Sequence, residues 1–271
     1  MNSIDLIVIL SAIMQGVFEW IPISSSGIVT ALCTVLGVRF LESFNWSLAL
    51  HLGSGIAALL LFWRDFLNIL NIRSGSSSNR DVPSLKMYII LILISIVVGG
   101  GIYMIFTRSF HEEIPGRIAL GIIGIFLIIT GIVDYLYQTR GKIIVESRSL
   151  SSVDWIVLGV LQGIAVIPGL SRSGLVLAYL SFRKVRPDTA FKISLIIGAP
   201  ILILAGIGGL YFAHKLLPMT LASIGILISL VVSFVFGYLF YKAFARMKTW
   251  HFALTIGVLL VITCLMSLFL R

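Results

Sequence analysis

Five stretches of this chain run for about twenty residues or more with almost no charge. They are Met87–Phe106, Ile118–Tyr137, Ala190–Phe212, Met219–Tyr241 and Phe252–Leu270, and Asp134 and Lys192 are their only charged residues. A helix rises about 1.5 Å per residue, so each stretch can cross a hydrocarbon layer about 30 Å thick. The chain is 59% hydrophobic and 11% charged, against about 25% charged in soluble domains. A water-soluble fold could not cover that much apolar surface. The class is therefore an all-α polytopic membrane protein, read as one membrane domain over 1–271.

The net charge of +9 does not indicate nucleic acid. The basic residues lie between the apolar runs, where loops beside the membrane belong. Cys33 and Cys264 sit in apolar segments and imply neither a disulfide framework nor a metal cluster. The start, Met1-Asn2-Ser3-Ile4-Asp5, has no positive region, so no cleaved signal peptide is expected.

About ten helical segments are expected, near 4–20, 25–37, 45–63, 86–107, 117–137, 153–166, 173–182, 189–212, 219–241 and 251–270. Polar stretches at 73–83 and 139–152 read as loops. Segments 25–37, 153–166 and 173–182 are too short to cross. The pair 4–20 and 25–37 is broken by Pro22 and Ser24-Ser25-Ser26, and the pair 153–166 and 173–182 by Pro168-Gly169-Leu170-Ser171-Arg172-Ser173-Gly174. Short interrupted segments in matching positions of two halves point to an inverted repeat with a central site.

The letters carry that repeat. Residues 15–27 align without a gap on residues 162–174, and Gln15/Gln162, Gly16/Gly163, Ser24/Ser171, Ser26/Ser173 and Gly27/Gly174 are identical. Repeat 1 spans about 4–137 and repeat 2 about 153–270, each a re-entrant helical hairpin followed by three transmembrane helices. Three crossings per half invert the second half and give six crossings, with both termini on one side. The charges fit that layout. One side collects Arg64, Arg73, Arg80, Lys86, Arg140, Lys142, Arg148, Arg183, Lys184, Arg186, Lys192, Lys242, Arg246 and Lys248. The other has Arg39, Arg108, Arg117, Lys215 and Arg271. The basic-rich side is expected to be cytoplasmic, which places both termini outside.

Glu19 and Arg172 are the charges left deep inside the hairpins. A charge in hydrocarbon costs at least about 2.5–3.5 kcal/mol unless paired or hydrated. The competing reading is an ion pair that only fixes packing, but intramembrane ions more often mark function. Arg172 offers a planar fork suited to phosphate oxygens. Ser171 and Ser173 add hydroxyls, and Gly169 and Gly174 are expected to let backbone N–H groups approach an anion. The helix start beyond them aims its dipole at the same point. Ser24, Ser25 and Ser26 repeat the arrangement in the first hairpin. Ser25 aligns with Arg172 and is the expected nucleophile or phosphate ligand. Glu19 is expected to act as a base or to hold a cation, and Gln15, one turn earlier, to bond Glu19 or substrate. A lone His51 within an apolar segment is structural about half the time; the alternative is a proton donor to a leaving phosphate.

The stretches Gln15-Gly16-Val17-Phe18-Glu19-Trp20-Ile21-Pro22-Ile23-Ser24-Ser25-Ser26-Gly27 and Pro168-Gly169-Leu170-Ser171-Arg172-Ser173-Gly174 resemble the undecaprenyl-diphosphate phosphatase family of the bacitracin-resistance type. The helix count and repeat layout resemble it over the whole chain. The resemblance implies release of phosphate from a polyprenyl diphosphate on the outer face of the cell membrane. It implies a divalent cation, Mg2+ or Ca2+, with Glu19 as its ligand, and recycling of a lipid carrier for envelope glycans. By position, Glu19 matches a functional acid, Ser25 a functional serine and Arg172 the functional arginine. Gln15 stands where many members have a glutamate, Ile28 where many have a histidine, and Val176 where many have a threonine. The expected partners are the lipid substrate and the membrane, with a homodimer allowed for. The alternative function is a flippase that moves a polyprenyl phosphate without cleaving it.

Overall fold

The computed structural model describes residues 3–70, 83–109, 115–140, 150–213, 218–243 and 249–269. They form eleven helices: α1 (Ser3–Phe18), α2 (Ser25–Val35), α3 (Phe40–Leu61), α4 (Trp63–Ile69), α5 (Leu85–Ser109), α6 (Gly116–Arg140), α7 (Ser152–Ile164), α8 (Arg172–Phe182), α9 (Pro187–Ala213), α10 (Met219–Ala243) and α11 (Trp250–Phe269). The expected segment at 45–63 differs most. It begins at Phe40, where Arg39 pairs with Glu42 across the first turn, and it breaks at Phe62, whose φ of −111° lies outside the helical range. The short α4 follows that break. Most of the polar stretches expected as loops, 73–83 and 139–152, lies outside the described residues.

Six helices, α3, α5, α6, α9, α10 and α11, are long and apolar enough to cross a membrane. The chain is a multi-pass membrane protein. Large apolar side chains such as Val97, Ile105, Phe182 and Tyr211 stay exposed, as expected of surfaces facing lipid. Between helices, glycines replace the bulky contacts of a soluble core. On α9, Gly206 meets the Leu52 backbone and Gly209 the Ala49 backbone, so α3 and α9 touch main chain to main chain. Gly124 and Gly257 do the same for α6 and α11. Lipid tails are as apolar as leucine, so close packing rather than water exclusion holds such crossings together.

The remaining helices pair as hairpins. At 11 to 16 residues, α1, α2, α7 and α8 reach only about 16–24 Å. Asp154 in the first turn of α7 bonds Arg183 at 2.7 Å and Tyr179 at 2.7 Å, both at the far end of α8. The two ends of the second hairpin therefore lie together. In the first, Val8 and Ala12 of α1 cluster with Val29 and Cys33 of α2.

Burial pushes the Asp154 carboxyl up, but bonds from Tyr179, Ser151 and Arg183 outweigh it and bring it from 3.8 down to about 2. A depressed carboxyl adds stability above its ordinary value and loses it as pH falls from near 4 toward 2. Asp154→Asn is therefore expected to lower the thermal midpoint of detergent-solubilised protein at pH 7. The difference from wild type should shrink as pH falls through that window. A difference that does not change with pH would refute it.

α9 carries Pro200 in its interior. Proline has no N–H, which frees the carbonyl four residues earlier. That carbonyl, of Ile196, accepts instead from the Tyr88 hydroxyl of α5 at 2.9 Å.

Candidate active site

Both hairpin tips end in serine-capped helices. Ser24 Oγ accepts from the Gly27 N–H at 3.3 Å, and Ser171 Oγ accepts from the Gly174 N–H at 3.1 Å. Ser24 and Ser26 hydroxyls lie 3.4 Å apart, and Ser171 and Ser173 hydroxyls 3.2 Å apart. Ser24 holds a left-handed φ of 65°, a conformation that strains a side-chain-bearing residue by about 1–2 kcal/mol. The tips touch. A Cβ on Gly27 would stand 2.7 Å from the Cα and N of Gly169, and one on Gly174 would meet the Pro22 carbonyl at 3.5 Å. Gly27→Ala must therefore push backbone apart. It is expected to cost about 1–3 kcal/mol, read as a lower thermal midpoint in detergent; an unchanged midpoint would show that the tips do not pack this way.

Glu19 lies just past the end of α1 and is 8% exposed. Its Oε1 accepts from Arg172 Nη2 at 3.0 Å. Its Oε2 accepts from Ser25 Oγ at 2.6 Å and from Gln15 Nε2 at 2.8 Å. His51 Nε2 stands 3.5 Å from Oε2. The His51 Nδ1 lies 2.7 Å from the Ser47 carbonyl. A carbonyl only accepts, so Nδ1 carries a proton and Nε2 is the ring nitrogen left to face Glu19. Ser25 opens α2, Arg172 opens α8 and His51 sits within α3. Four elements thus converge on one carboxylate.

Arg172 also donates from Nη1 to the Ser194 carbonyl of α9 at 3.2 Å, while its buried Nε has no partner among the described residues. Gly198, one turn along α9, leaves the guanidinium its space, since a Cβ there would collide with Nη1. One buried cation against one buried carboxylate leaves the pair near neutral, and breaking such a pair costs about 3–5 kcal/mol.

These groups border a cavity of about 260 Å³. Glu19, His51, Arg172 and the five serines Ser24, Ser25, Ser26, Ser171 and Ser173 line its polar end; side chains of α5 and α9 form an apolar wall. The starts of α2 and α8 meet at the polar end, where helix dipoles favour an anion.

Other expected ligands sit elsewhere. Gly174 and Gly169 do not line the cavity. The Gly174 N–H is committed to the Ser171 cap. Gly169 has a φ of +102° and packs on Phe126 and Ile123 of α6, so its glycine serves the turn. Gln15 is fully buried behind Glu19, bonding it and Ser54 rather than facing the cavity. Ile28 packs with Ala31, Phe40, Leu120 and Ile123, away from the cavity, so a histidine placed there would enter an apolar cluster.

The model of the family described as bacitracin resistance protein BacA matches residues 8–263. The chain belongs to this family. Among BacA-like relatives, the undecaprenyl-diphosphatase of Methanococcoides burtonii is 33% identical over 265 residues, covering 94% of this chain and 96% of the relative. That of Saccharolobus solfataricus is 30% identical over 276 residues, 98% of each chain. That of Haloarcula marismortui is 31% identical over 252 residues, covering 91% and 90%.

In this BacA-family chain, three polar positions were missed from the letters. Thr130 of α6 donates to the Gly169 carbonyl at 2.7 Å and accepts from the Ser171 N–H at 3.0 Å, pinning the second tip. Gln162 lines the cavity, with its Oε1 unpartnered and its Nε2 3.5 Å from Ser95 Oγ. Gln162 was visible as the repeat counterpart of Gln15. Nothing in the sequence places Thr130 or Ser95 at the site.

Proposed function

We propose that this chain hydrolyses a polyprenyl diphosphate, of the undecaprenyl type, to the monophosphate and inorganic phosphate. The hydrogen-bond chain Ser25–Glu19–Arg172 at two converging helix starts carries the reading. The name undecaprenyl-diphosphatase, borne by relatives that match nearly the whole chain, supports it.

In the first step Ser25 Oγ attacks the terminal phosphorus and its proton passes to Glu19 Oε2. The bond from that phosphorus to the bridging oxygen breaks, and the lipid monophosphate leaves. Water then displaces Ser25. Glu19 returns its proton to Ser25 Oγ, and His51 Nε2 takes one from the water. Arg172 and the N–H groups at the starts of α2 and α8 hold the phosphate oxygens. Ser24, Ser26, Ser171 and Ser173 border the same space.

A divalent cation, Mg2+ or Ca2+, fits this donor set. No group of three or more His, Cys, Asp or Glu gathers among the described residues, but Mg2+ commonly binds one or two carboxylates plus substrate phosphates. Glu19, which lines the cavity, is its protein ligand in this reading. The ion would neutralise phosphate charge. The fold reads as two inverted repeats in the cell membrane, with the cavity open to the outside. Supporting this, α1 packs on α10 as α7 packs on α5, and Gly27 meets Gly169 as Gly174 meets Pro22. Outside labelling of a cysteine at Ser77 in intact cells would contradict that orientation.

The deciding experiment is phosphate release from a polyprenyl diphosphate by purified protein, with and without divalent cation. Release is expected. No release from any polyprenyl diphosphate by folded, cation-supplied protein would overturn the reading.

A further inference from the structure

A threonine inside a helix commonly turns its hydroxyl back onto the carbonyl one turn earlier. Thr34, Thr107, Thr139 and Thr263 all do so. Thr130, buried in the middle of α6, does not. Its Oγ1 donates across to the Gly169 carbonyl at 2.7 Å and accepts from the Ser171 N–H at 3.0 Å. One hydroxyl thus holds the backbone on both sides of Leu170. It is used as donor and as acceptor at once, a pairing that serine can copy and valine cannot.

The stretch it holds is the one that delivers Arg172. Leu170 and Ser171 are buried, so a main-chain N–H there must find its partner inside the protein. Ser171 caps α8 from φ −84°, ψ 117°, an ordinary extended conformation, and Arg172 is the first residue of that helix. From there the guanidinium reaches Glu19 at 3.0 Å and the Ser194 carbonyl at 3.2 Å. The first tip shares the pattern Ser-x-Ser-Gly but not this clamp. Ser24, at the place of Ser171, stands at φ 65°, ψ 83°, and among the described residues no side chain bonds its N–H. The tip that carries the arginine is the one fastened to α6. Thr130 itself does not line the cavity, so it acts on a ligand only through this loop.

We propose that Thr130 is a positioning residue: its hydroxyl fixes the Gly169–Ser171 backbone on α6 and so sets the place from which Arg172 grips phosphate. The proposal rests on the phosphatase reading and adds the group that aims the arginine. Glu19 and Ser194 hold the far end of a long side chain, whereas Thr130 holds its root. Without the hydroxyl, Arg172 keeps its charge and its carboxylate partner but loses its fixed origin. A misplacement of about 1 Å can cost about 100-fold in rate.

The test uses the full chain in lipid nanodiscs, with Thr130→Val and Thr130→Ser, each alone and combined with Arg172→Lys. Two quantities are measured: kcat/KM for phosphate release from a polyprenyl diphosphate, and affinity for the polyprenyl methylenediphosphonate, which keeps both phosphorus groups but resists cleavage. Thr130→Val is expected to lower kcat/KM by about 10–100-fold and to weaken the analogue, while Thr130→Ser stays close to wild type. In the Arg172→Lys background Thr130→Val is expected to cost little more, because groups that act as a unit are not additive. Should valine prevent folding, Thr130→Ala takes its place in the same comparison. Serine as damaging as valine, or a full further loss in the Arg172→Lys background, would overturn the proposal, and so would wild-type behaviour of Thr130→Val. If wild type releases no phosphate from any polyprenyl diphosphate while Thr130→Val weakens the analogue and Thr130→Ser does not, the clamp stands and the phosphatase reading fails instead.

Discussion

Arg172→Lys is expected to reduce kcat/KM by about 100-fold or more, although the positive charge is kept. The guanidinium reaches two elements at once, Glu19 through Nη2 and the Ser194 carbonyl of α9 through Nη1. An ammonium is a point donor that cannot hold Glu19, α9 and a phosphate in one plane. A hydrogen bond to a charged group contributes about 1.5–3 kcal/mol, so losing one or two yields a deficit of that order in the transition state. Thermal stability should change less, because lysine still neutralises Glu19. The measurement is steady-state phosphate release by purified variant and wild type at matched folding. Activity within threefold of wild type would remove Arg172 from phosphate binding and leave it an ion pair that fixes packing.

The membrane made much of this architecture legible. A bilayer sets a minimum helix length, so runs such as 87–106 and 252–270 could be read as crossings from their letters. Pro22 and Pro168-Gly169 marked the hairpin tips because they interrupt runs that would otherwise continue. The meeting of Glu19 and Arg172 followed from the cost of unpaired charge in hydrocarbon. What escaped depends on tertiary contact. No glycine or proline marks the bend at Phe62, and Arg64 and Asp65 just beyond it read as the end of the apolar run, so α4 was invisible. Gly169 and Gly174 read as places where backbone N–H groups approach an anion, yet one serves a left-handed turn against α6 and the other a serine cap. Gln15 shows the same limit. Its spacing from Glu19 was readable, but not that α10 closes over α1 at Gly16 and keeps Gln15 behind the carboxylate.

Glu19→Gln is expected to be the most damaging single change and to separate chemistry from architecture when combined with Ser25→Ala. The amide keeps the shape but offers one oxygen where the carboxylate takes bonds from Arg172, Ser25 and Gln15. Arg172 loses its partner charge in a buried setting, a cost of about 3–5 kcal/mol, so the thermal midpoint should fall. Loss of a general base adds a factor of about 100 to 10,000 in kcat. Ser25→Ala removes a hydroxyl without stranding a charge, so its midpoint should stay closer to wild type. If Ser25 attacks phosphorus, its loss also abolishes any phosphoserine trapped by rapid acid quench of labelled substrate. If it only binds phosphate, the loss is about 10–100-fold, the equivalent of one hydrogen bond to a charged group. The double variant decides between these roles. Glu19 acting as the base for Ser25 predicts that Glu19→Gln costs little further activity once Ser25 is alanine, because groups that act as a unit are not additive. Two full, independent losses in the double variant would instead assign Glu19 to holding Arg172, or a cation, and would require another group to activate the nucleophile.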